Sequence, residues 1–199
     1  MRVLIGCEFS GRVRDAFAAR GHDAWSCDLR PSTTPGQHIQ GDVLEAVAAL
    51  APALFIVHPP CTYLCSSGLH WNGRVPGRQD KTEEALRFVE KLFALDSCRM
   101  AVENPIGCIG TRLRRADQII QPHQFGDDAA KATCLWLFGL PKLIPTKHIP
   151  PRMVNGRPRW SNQTDSGQNR LGPSPDRAAI RATTYPGIAA AMAEQWGNL

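Results

Sequence analysis

The sequence predicts an α/β domain built on a mostly parallel sheet with helices on its faces. Short apolar runs of strand length alternate with stretches of helical periodicity, a pattern typical of parallel sheets. Polar residues follow several of the apolar runs directly. Because the loops after parallel strands line the ligand crevice of such a sheet, these residues also predict where a site lies.

Five mostly apolar runs are predicted to be strands, since each is short and suited to burial on both faces. They are 3–5, 24–27, 54–57, 100–102 and 134–138. Apolar residues recur at helical spacing in four further stretches. These are 12–20, 43–50, 82–95 and 187–196.

The length of 199 residues fits a single domain, 1–199, that buries its own core. No apolar run approaches the roughly 20 residues that a membrane span needs, so no membrane partner is expected. The chain enters a strand-like run at once. We therefore expect no secretory leader and a cytoplasmic location.

The seven cysteines do not suggest a disulfide framework, because their number is odd and they are scattered. Cys61 and Cys65 are four residues apart, but no second pair has zinc-finger spacing. We therefore expect no metal site. Cys65 is expected to be a small packing residue, and His58 to hydrogen-bond the backbone of its loop.

The net charge is +5, and the excess is concentrated in one region. Segment 141–181 is rich in proline, glycine and arginine and shows no persistent helical or strand period. Residues 146–181 include seven lysines and arginines but only two aspartates. Long irregular segments in compact domains are usually functional or disordered. The charge favours a polyanionic partner such as nucleic acid.

Five polar residues lie at or just beyond the ends of predicted strands or in the loops that follow. They are Glu8, Asp28, Asp42, Cys61 and Glu103. In an open parallel sheet these positions share one edge, so their coincidence predicts a ligand site there.

Two of these positions lie in motifs that resemble those of the cytosine-C5 DNA methyltransferases. Stretch 59–68, Pro-Pro-Cys-Thr-Tyr-Leu-Cys-Ser-Ser-Gly, resembles the Pro-Pro-Cys loop of that family, and 102–105, Val-Glu-Asn-Pro, resembles its Glu-Asn-Val motif. The layout is most similar to small phage- and prophage-type members without a full target-recognition domain. The resemblance implies a Rossmann-like fold that uses S-adenosylmethionine (SAM).

The resemblance implies that Cys61, Glu103 and Asn104 are catalytic. A thiolate is suited to add to C6 of cytosine, which activates C5 for methylation. The two prolines restrict the loop that presents the sulfur. A carboxylic acid facing N3 would stabilise the adduct, and this role requires a raised pKa for Glu103. The base that removes the C5 proton is expected to be water.

The same resemblance implies seven cofactor contacts. Asp28 and Asp42 suit the ribose hydroxyls and the adenine amine, although either carboxylate would also cap a helix or turn. Phe9 suits stacking or core packing equally. The full set is Glu8, Phe9, Ser10, Gly11, Asp28, Asp42 and Pro59.

Candidate substrate contacts come mainly from the basic segment 141–181, which stands where larger relatives carry a recognition domain. Arginines there would clamp phosphates and a tryptophan would stack on a base, or the segment is a solvated loop with a packed tryptophan. Lys131 lies in a stretch that loosely resembles the family's Gln/Arg strand motif. The set is Lys131, Arg152, Arg157, Arg159, Trp160 and Arg170.

Several functions stay open from the sequence. Methyl transfer to C5 of cytosine in DNA is favoured, and the same chemistry on free deoxycytidine monophosphate needs no recognition domain. The first loop has few glycines, which allows a nucleic-acid-binding protein without turnover. An adenine-N6 or cytosine-N4 methyltransferase also uses a Pro-Pro loop, but with other flanking residues. The oligomeric state is not predicted.

Overall fold

The computed structural model describes residues 1–96 and 98–199, and its centre is a seven-stranded sheet. In chain order the strands are β1 (Arg2–Gly6), β2 (Asp23–Asp28), β3 (His38–Gln40), β4 (Leu54–Val57), β5 (Arg99–Pro105), β6 (Gln118–Ile120) and β7 (Thr133–Phe138). Their spatial order is β3-β2-β1-β4-β5-β7-β6. All five predicted strands are confirmed, and two three-residue strands, β3 and β6, were not predicted.

Helices cover the sheet. They are α1 (Arg12–Ala18), α2 (Val43–Leu50), α3 (Ser66–Leu69), α4 (Arg78–Phe93), α5 (Ile109–Arg112), α6 (Arg177–Ala182) and α7 (Pro186–Trp196). The four predicted helices correspond to α1, α2, α4 and α7. Among the helices of the described residues, none is long and apolar enough to cross a membrane.

The strands β3, β2, β1, β4 and β5 are mutually parallel, while β7 runs antiparallel to both β5 and β6. The predicted α/β class with a mostly parallel sheet flanked by helices is therefore confirmed, with one reversed strand. From β1 the chain builds outward through β2 and β3, and then returns to add β4 on the other side. This reversal places a ligand crevice beyond the carboxyl ends of β1 and β4.

Two apolar layers hold the helices to the sheet. On one face Phe17 of α1 and Met192 of α7 pack over the inner strands. On the other face Val47 of α2 and Val89 of α4 pack against the sheet. All four side chains are buried, which explains the helical spacing of apolar residues in the sequence.

The interpretation of 141–181 as wholly irregular is wrong in part. A two-stranded antiparallel hairpin, β8 (Arg152–Val154) and β9 (Arg157–Arg159), lies inside it, and α6 begins before it ends. The three-residue strands are too short to show a period in sequence. The segment is tied to the body of the protein by Asn162, whose side chain bonds both the N–H and the carbonyl of Ala130.

Candidate active site

The loop after β4 is bent into a tight turn that presents Cys61. The backbone carbonyl of Cys61 accepts from the N–H groups of Leu64 at 3.0 Å and Cys65 at 2.9 Å. Asn104 of β5 is buried and donates from Nδ2 to the carbonyl oxygen of Pro59 at 2.6 Å. The Pro-Pro-Cys loop and the Glu-Asn motif are therefore in contact. Asn104 of β5 holds Pro59 of the loop against this strand.

Gly107 fixes the far end of the same loop. Cys108 donates its N–H to the carbonyl of Leu64, and Ser66 donates its N–H to the carbonyl of Ile106. A Cβ added to Gly107 would lie 1.9 Å from the Leu64 oxygen. Only glycine permits this close approach of two backbones.

Glu103 lies in the carboxyl-terminal part of β5, as predicted. The prediction that its pKa is raised is wrong. Burial by itself raises the pKa of Glu103, yet its net pKa is lowered by the hydrogen bond and charge of His58 and by the charge of Lys131. His58 Nδ1 lies 3.0 Å from Glu103 Oε2. The predicted backbone hydrogen bond of the His58 ring is thus replaced by a carboxylate partner.

The Cys61 thiol lies within electrostatic range of Glu103 and Lys131. Its pKa is raised by a side-chain hydrogen bond with Cys65, by burial, and by the negative charge of Glu103, while Lys131 opposes the shift. Three of the predicted residues, Cys61, Glu103 and Lys131, are therefore brought together.

Cys65 lies half-buried in the same loop, and its role as a packing residue stays a prediction. Interaction with Cys61 lowers the pKa of Cys65, against the effect of burial, with help from Ser67, the Gly68 backbone and Arg181. The sulfur lies 3.2 Å from Ser67 Oγ.

A cleft of about 550 Å³ opens beside this loop. Asp28 at the end of β2 and Asp42 before α2 line it, as predicted for cofactor contacts. The loop itself contributes Pro60, whereas Pro59 is buried and uses its carbonyl to bind Asn104. The remaining lining residues are Cys7, Leu29, Gly41, Val43, Tyr63, Leu64, Lys81, Glu84, Ala85 and Phe88.

The two aspartates of the cleft also accept hydrogen bonds from the backbone. Asp42 Oδ1 accepts from the N–H of Leu44 at 2.7 Å and so caps α2. Asp28 Oδ1 accepts from the N–H of Arg30 at 2.9 Å. Capping and ligand contact are compatible, because a carboxylate has about four acceptor positions.

The first loop, 8–11, holds the start of α1, and none of its residues lines the cleft. Glu8 is buried and accepts from the N–H groups of Val13 at 2.7 Å and Arg14 at 3.2 Å. Ser10 donates to the same carboxylate, and Gly11 adopts a φ of 68° as the residue before the helix. Cofactor contact by this loop stays a prediction.

Phe9 in that loop is covered by a cation. The guanidinium of Arg30 lies 3.6 Å from its ring centroid, and the ring is 9% exposed. This packing favours the core role for Phe9 over stacking on a ligand.

Three of the predicted phosphate-binding arginines bond their own loop instead. Arg152 bonds Asp165 at 2.7 Å and the Gln163 carbonyl at 2.9 Å. Arg159 donates to the Asp165 carbonyl, and Arg170 to the Gln163 carbonyl. These guanidiniums hold the segment in shape, while Arg157 is exposed at the tip of the hairpin.

Trp160 is packed rather than open. Its ring stacks on His123 with centroids 4.2 Å apart, and its Nε1 donates to the carbonyl of Ile149. Lys131, by contrast, reaches from the active-site cluster toward α6, where its Nζ donates to the carbonyl of Arg181 at 2.8 Å.

Sequence reasoning missed the contact of His58 with Glu103 and the side of the cleft formed by α4. Lys81, Glu84, Ala85 and Phe88 are spaced three or four residues apart, so they share one helical face. That spacing is visible in the sequence, but only the fold shows which face meets the cleft.

Neither the arrangement of possible metal ligands nor comparison with known proteins identifies a function. Among the described residues, no group of three or more His, Cys, Asp or Glu could hold a metal ion. No protein-family model matches the chain, and a search of curated proteins finds no significant match.

Proposed function

We propose that the protein is a SAM-dependent methyltransferase that acts on C5 of cytosine in DNA. One observation carries the proposal: a thiol and a carboxylate, Cys61 and Glu103, come together from two separate motifs. Cys61 lies on the loop whose Pro60, Tyr63 and Leu64 line a cleft with acidic residues, and Glu103 lies on the neighbouring strand β5. The Rossmann-like methyltransferase fold implied by the resemblance is compatible with the strand order.

The cleft fits the adenosine part of SAM. Its volume lies within the range of about 300–1,000 Å³ that is usual for small-molecule sites. Asp28 would accept from the ribose hydroxyls and Asp42 from the adenine amine, while Val43 and Phe88 supply apolar walls. When bound, SAM supplies the electrophilic methyl group.

Cys61 would perform covalent catalysis. Its sulfur bonds to C6 of cytosine, the C5–C6 double bond opens, and the ring nitrogen N3 takes a proton. After C5 has gained its methyl group, a base removes the C5 proton. The C5–C6 double bond then re-forms, the bond from C6 to Cys61 breaks, N3 returns its proton to the Glu103 carboxylate, and the thiolate is regenerated.

Glu103 and His58 would supply the N3 proton together. When His58 is protonated, its Nδ1 proton moves to Glu103, and Glu103 passes a proton to N3. A neutral histidine and an ionised carboxylate remain. The lowered pKa of Glu103 in the free protein fits this relay, because the carboxylate needs a neighbouring proton carrier.

Buried atoms beside Glu103 support a polar ligand at this point. His58 Nε2 and Asn104 Oδ1 are buried and have no hydrogen-bond partner among the described residues. Leaving such atoms unpaired is unfavourable by about 1–3 kcal/mol each. A pyrimidine base, with its amine, carbonyl and ring nitrogens, has groups that would pair with them.

DNA is the favoured substrate because the net charge is +5 and Arg157 is exposed on the hairpin. The target cytosine would have to leave the duplex to reach Cys61. Free deoxycytidine monophosphate is a second candidate. The hydrogen bonds that Arg152, Arg159 and Arg170 make within their own segment favour it, since they reduce the surface available to a long polyanion.

Incubation with methyl-tritiated SAM tests the proposal. Duplex DNA and deoxycytidine monophosphate are offered separately, and the products are digested to nucleosides. We expect label in 5-methyldeoxycytidine from DNA, lost in Cys61→Ala and kept in the control Cys134→Ala, a buried cysteine of β7. Label only in the nucleotide contradicts the DNA substrate, and label on an exocyclic nitrogen overturns the reaction.

A further inference from the structure

We propose that residues 69–78, which follow the Pro-Pro-Cys loop, form a DNA-contact surface in which Trp71 stacks on a base beside the target cytosine and Arg74 contacts a phosphate. We call these residues the Trp71 surface. The inference rests on the proposed function, because it takes DNA as the partner, and it names the part of the protein that would hold the strand.

Trp71 is the large aromatic side chain that the fold leaves open. Of the five tryptophans, all in the part of the chain that the structure describes, Trp71 alone is exposed, at 46%. Trp136 and Trp196 are buried, and the ring nitrogen of each donates to a backbone carbonyl. A single exposed ring is common on protein surfaces. The case for a site therefore depends on the groups around it.

Two polar side chains frame the ring of Trp71. The His70 ring lies with its centroid 4.9 Å from that of Trp71, and the guanidinium of Arg74 lies 5.7 Å from the Trp71 ring. Val75, exposed to 45%, adds apolar surface beside them. An aromatic ring interleaved with cations is typical of surfaces that bind an unpaired base and the phosphates next to it.

Hydrogen bonds fix the shape of the loop that presents this ring. The carbonyl of Trp71 accepts from the N–H groups of Arg74 at 3.0 Å and Val75 at 2.9 Å. Asn72 donates from Nδ2 to Thr82 Oγ1 of α4 at 2.9 Å, which ties the loop to that helix. The ring is therefore held in place before a ligand arrives, and this lowers the entropic cost of binding.

The Trp71 surface is joined to the turn that presents Cys61. Arg78, at its end, donates from Nη2 to the carbonyl of Thr62 at 3.0 Å. Trp71 follows Cys61 by ten residues, a length of chain that spans at most about 35 Å, and the helix α3 shortens this span. A DNA strand whose cytosine reaches Cys61 would therefore pass within reach of Trp71.

The charge of the surface suits a polyanion. Residues 69–78 contain two arginines and no carboxylate. Asp80, the first acidic residue after them, is followed by Lys81. Glu83 is ion-paired with Arg112 at 2.9 Å, so its charge is offset. The balance near Trp71 is positive, which favours contact with phosphates.

Segment 141–181, the other candidate for DNA contact, has most of these groups already engaged. Arg152 and Arg159 bond atoms of their own segment. Trp160 stacks on His123, so neither face-to-face stacking nor full exposure is open to it. The aromatic ring and the guanidinium that a DNA contact needs are instead available together in the Trp71 surface.

Fluorescence anisotropy of a short labelled DNA duplex tests the surface without methyl transfer. Trp71→Ala removes the ring, and we expect it to weaken DNA binding about 10-fold, the effect of one lost base stack. Trp71→Phe retains an aromatic face and should bind more tightly than Trp71→Ala. Equal affinities of wild type and Trp71→Ala, or of the two variants, overturn the inference.

The salt dependence of binding tests the phosphate contact. Arg74→Gln should lower the magnitude of the slope of log K against log salt concentration by about 0.9, the value for one phosphate. Lys91→Gln is the matched control, because it removes the same charge from an exposed position about 20 Å along α4 from Arg78. It should leave the slope unchanged. Equal slopes for the two variants overturn the phosphate contact.

Acrylamide quenching of tryptophan fluorescence reports on the ring itself, which a merely structural role would not change. DNA should reduce the quenching in the wild-type protein, because a stacked base covers the exposed ring. In Trp71→Phe this protection should be lost, since the remaining tryptophans are buried or half-buried without DNA. Protection that persists in Trp71→Phe overturns the inference.

A second copy of the chain is the competing occupant of an exposed tryptophan. Sedimentation velocity without DNA decides between the two, and we expect Trp71→Ala to sediment as the wild-type protein does. A wild-type dimer that Trp71→Ala dissociates would assign the ring to self-association and overturn the DNA contact.

Failure of this inference and failure of the proposed function give different results. If wild type and both Trp71 variants bind DNA equally, the surface is wrong and the Cys61 chemistry stands. If the wild-type protein binds DNA through Trp71 but transfers no methyl group, the proposed function fails and the surface stands. A wild-type protein that binds no DNA contradicts both. Unchanged circular dichroism of the variants confirms that they are folded.

Discussion

His58 Nδ1 and Glu103 Oε2 lie 3.0 Å apart, and this contact joins the loop after β4 to the neighbouring strand β5. Both side chains are largely buried, with exposures of 9% and 12%. In such surroundings a hydrogen bond between a histidine and a carboxylate decides where a proton resides. The protonation of Glu103 is therefore coupled to a residue of the same loop that carries Cys61.

The first prediction concerns this pair. In His58→Gln the amide retains a hydrogen-bond donor but loses the charge, so the pKa of Glu103 should rise, and in His58→Ala it should rise further. The pKa of Glu103 is measured by NMR, from the ¹³C chemical shift of its carboxyl group as a function of pH. The control His70→Gln changes an exposed histidine and should leave the titration unchanged. A Glu103 pKa that stays the same in His58→Ala would contradict the coupling.

The same pair predicts how stability depends on pH. A carboxyl group whose pKa is lowered by folding stabilises the protein above its ordinary value of about 4.3, and this contribution is lost as the pH falls through the lowered pKa. Glu103 has such a lowered pKa. Urea unfolding between neutral and acid pH should therefore show a smaller loss of stability in His58→Ala than in wild type. An equal loss of stability in the two proteins would contradict a stabilising contribution of the His58–Glu103 pair.

The second prediction concerns the clamp at Gly107. In Gly107→Ala the new methyl group would overlap the Leu64 oxygen, so we expect destabilisation of about 1–3 kcal/mol and a displaced loop. Gly110→Ala is the matched control, because its Cβ meets no atom within 4 Å and it lies in α5. A helical position of this kind should gain roughly 0.5–1 kcal/mol. Equal free energies of unfolding for the two variants would refute the clamp.

The third prediction concerns Arg14, a fully buried guanidinium of α1. It donates hydrogen bonds to the side chains of Asp15, Ser26 and Ser32. It also reaches Thr34 and the Pro35 carbonyl, and so pins the segment before β3. Arg14→Met should destabilise the protein by about 2–4 kcal/mol, since several buried acceptors lose their donor.

Arg20→Met is the control for that variant. Arg20 makes an exposed ion pair with Glu194 at 3.4 Å, and such pairs contribute no more than about 1 kcal/mol. Hydrogen exchange should also show faster exchange in 29–37 for Arg14→Met alone. Protection that is equal in both variants would mean that Arg14 does not hold this segment.

Sequence patterns predicted the elements whose signal is long or continuous. The apolar runs of β1 and β4 are buried throughout, and the face of α4 containing Leu86 and Val89 is buried as its spacing required. The start of α4 was placed four residues late. The residue before this helix is Gly77, with φ 72°, and it carries no capping side chain that sequence reasoning could recognise.

The sequence predicted where the candidate site lies better than it predicted the protonation of the residues in it. Cys61, Glu103, Asp28 and Asp42 lie where the ends of the strands placed them, because parallel strands end at a common edge. The lowered pKa of Glu103 could not be predicted, since it depends on His58, a contact between residues distant in sequence. The internal hydrogen bonds of the arginines in 141–181 also require tertiary structure.

The fourth prediction concerns the cleft. Asp28→Asn and Asp42→Asn should each weaken SAM binding by about 10-fold or more, because a hydrogen bond to a charged group contributes roughly 1.5–3 kcal/mol. Asparagine retains the capping role of Asp42, so the fold of α2 should persist. Isothermal titration calorimetry measures the affinity. Asp80→Asn, at an exposed position in α4, is the control and should bind normally. Unchanged affinity in both cleft variants would place SAM elsewhere.

The most direct measurement of the central claim is the intact mass of the protein after incubation with SAM and a duplex containing 5-fluorocytosine. Fluorine at C5 cannot be removed as a proton, so the bond from sulfur to C6 should persist. We predict a stable protein–DNA adduct that peptide mapping locates on Cys61 and that Cys61→Ala does not form. A protein that stays unmodified under conditions of complete binding, or an adduct on any other residue, would contradict nucleophilic attack by Cys61.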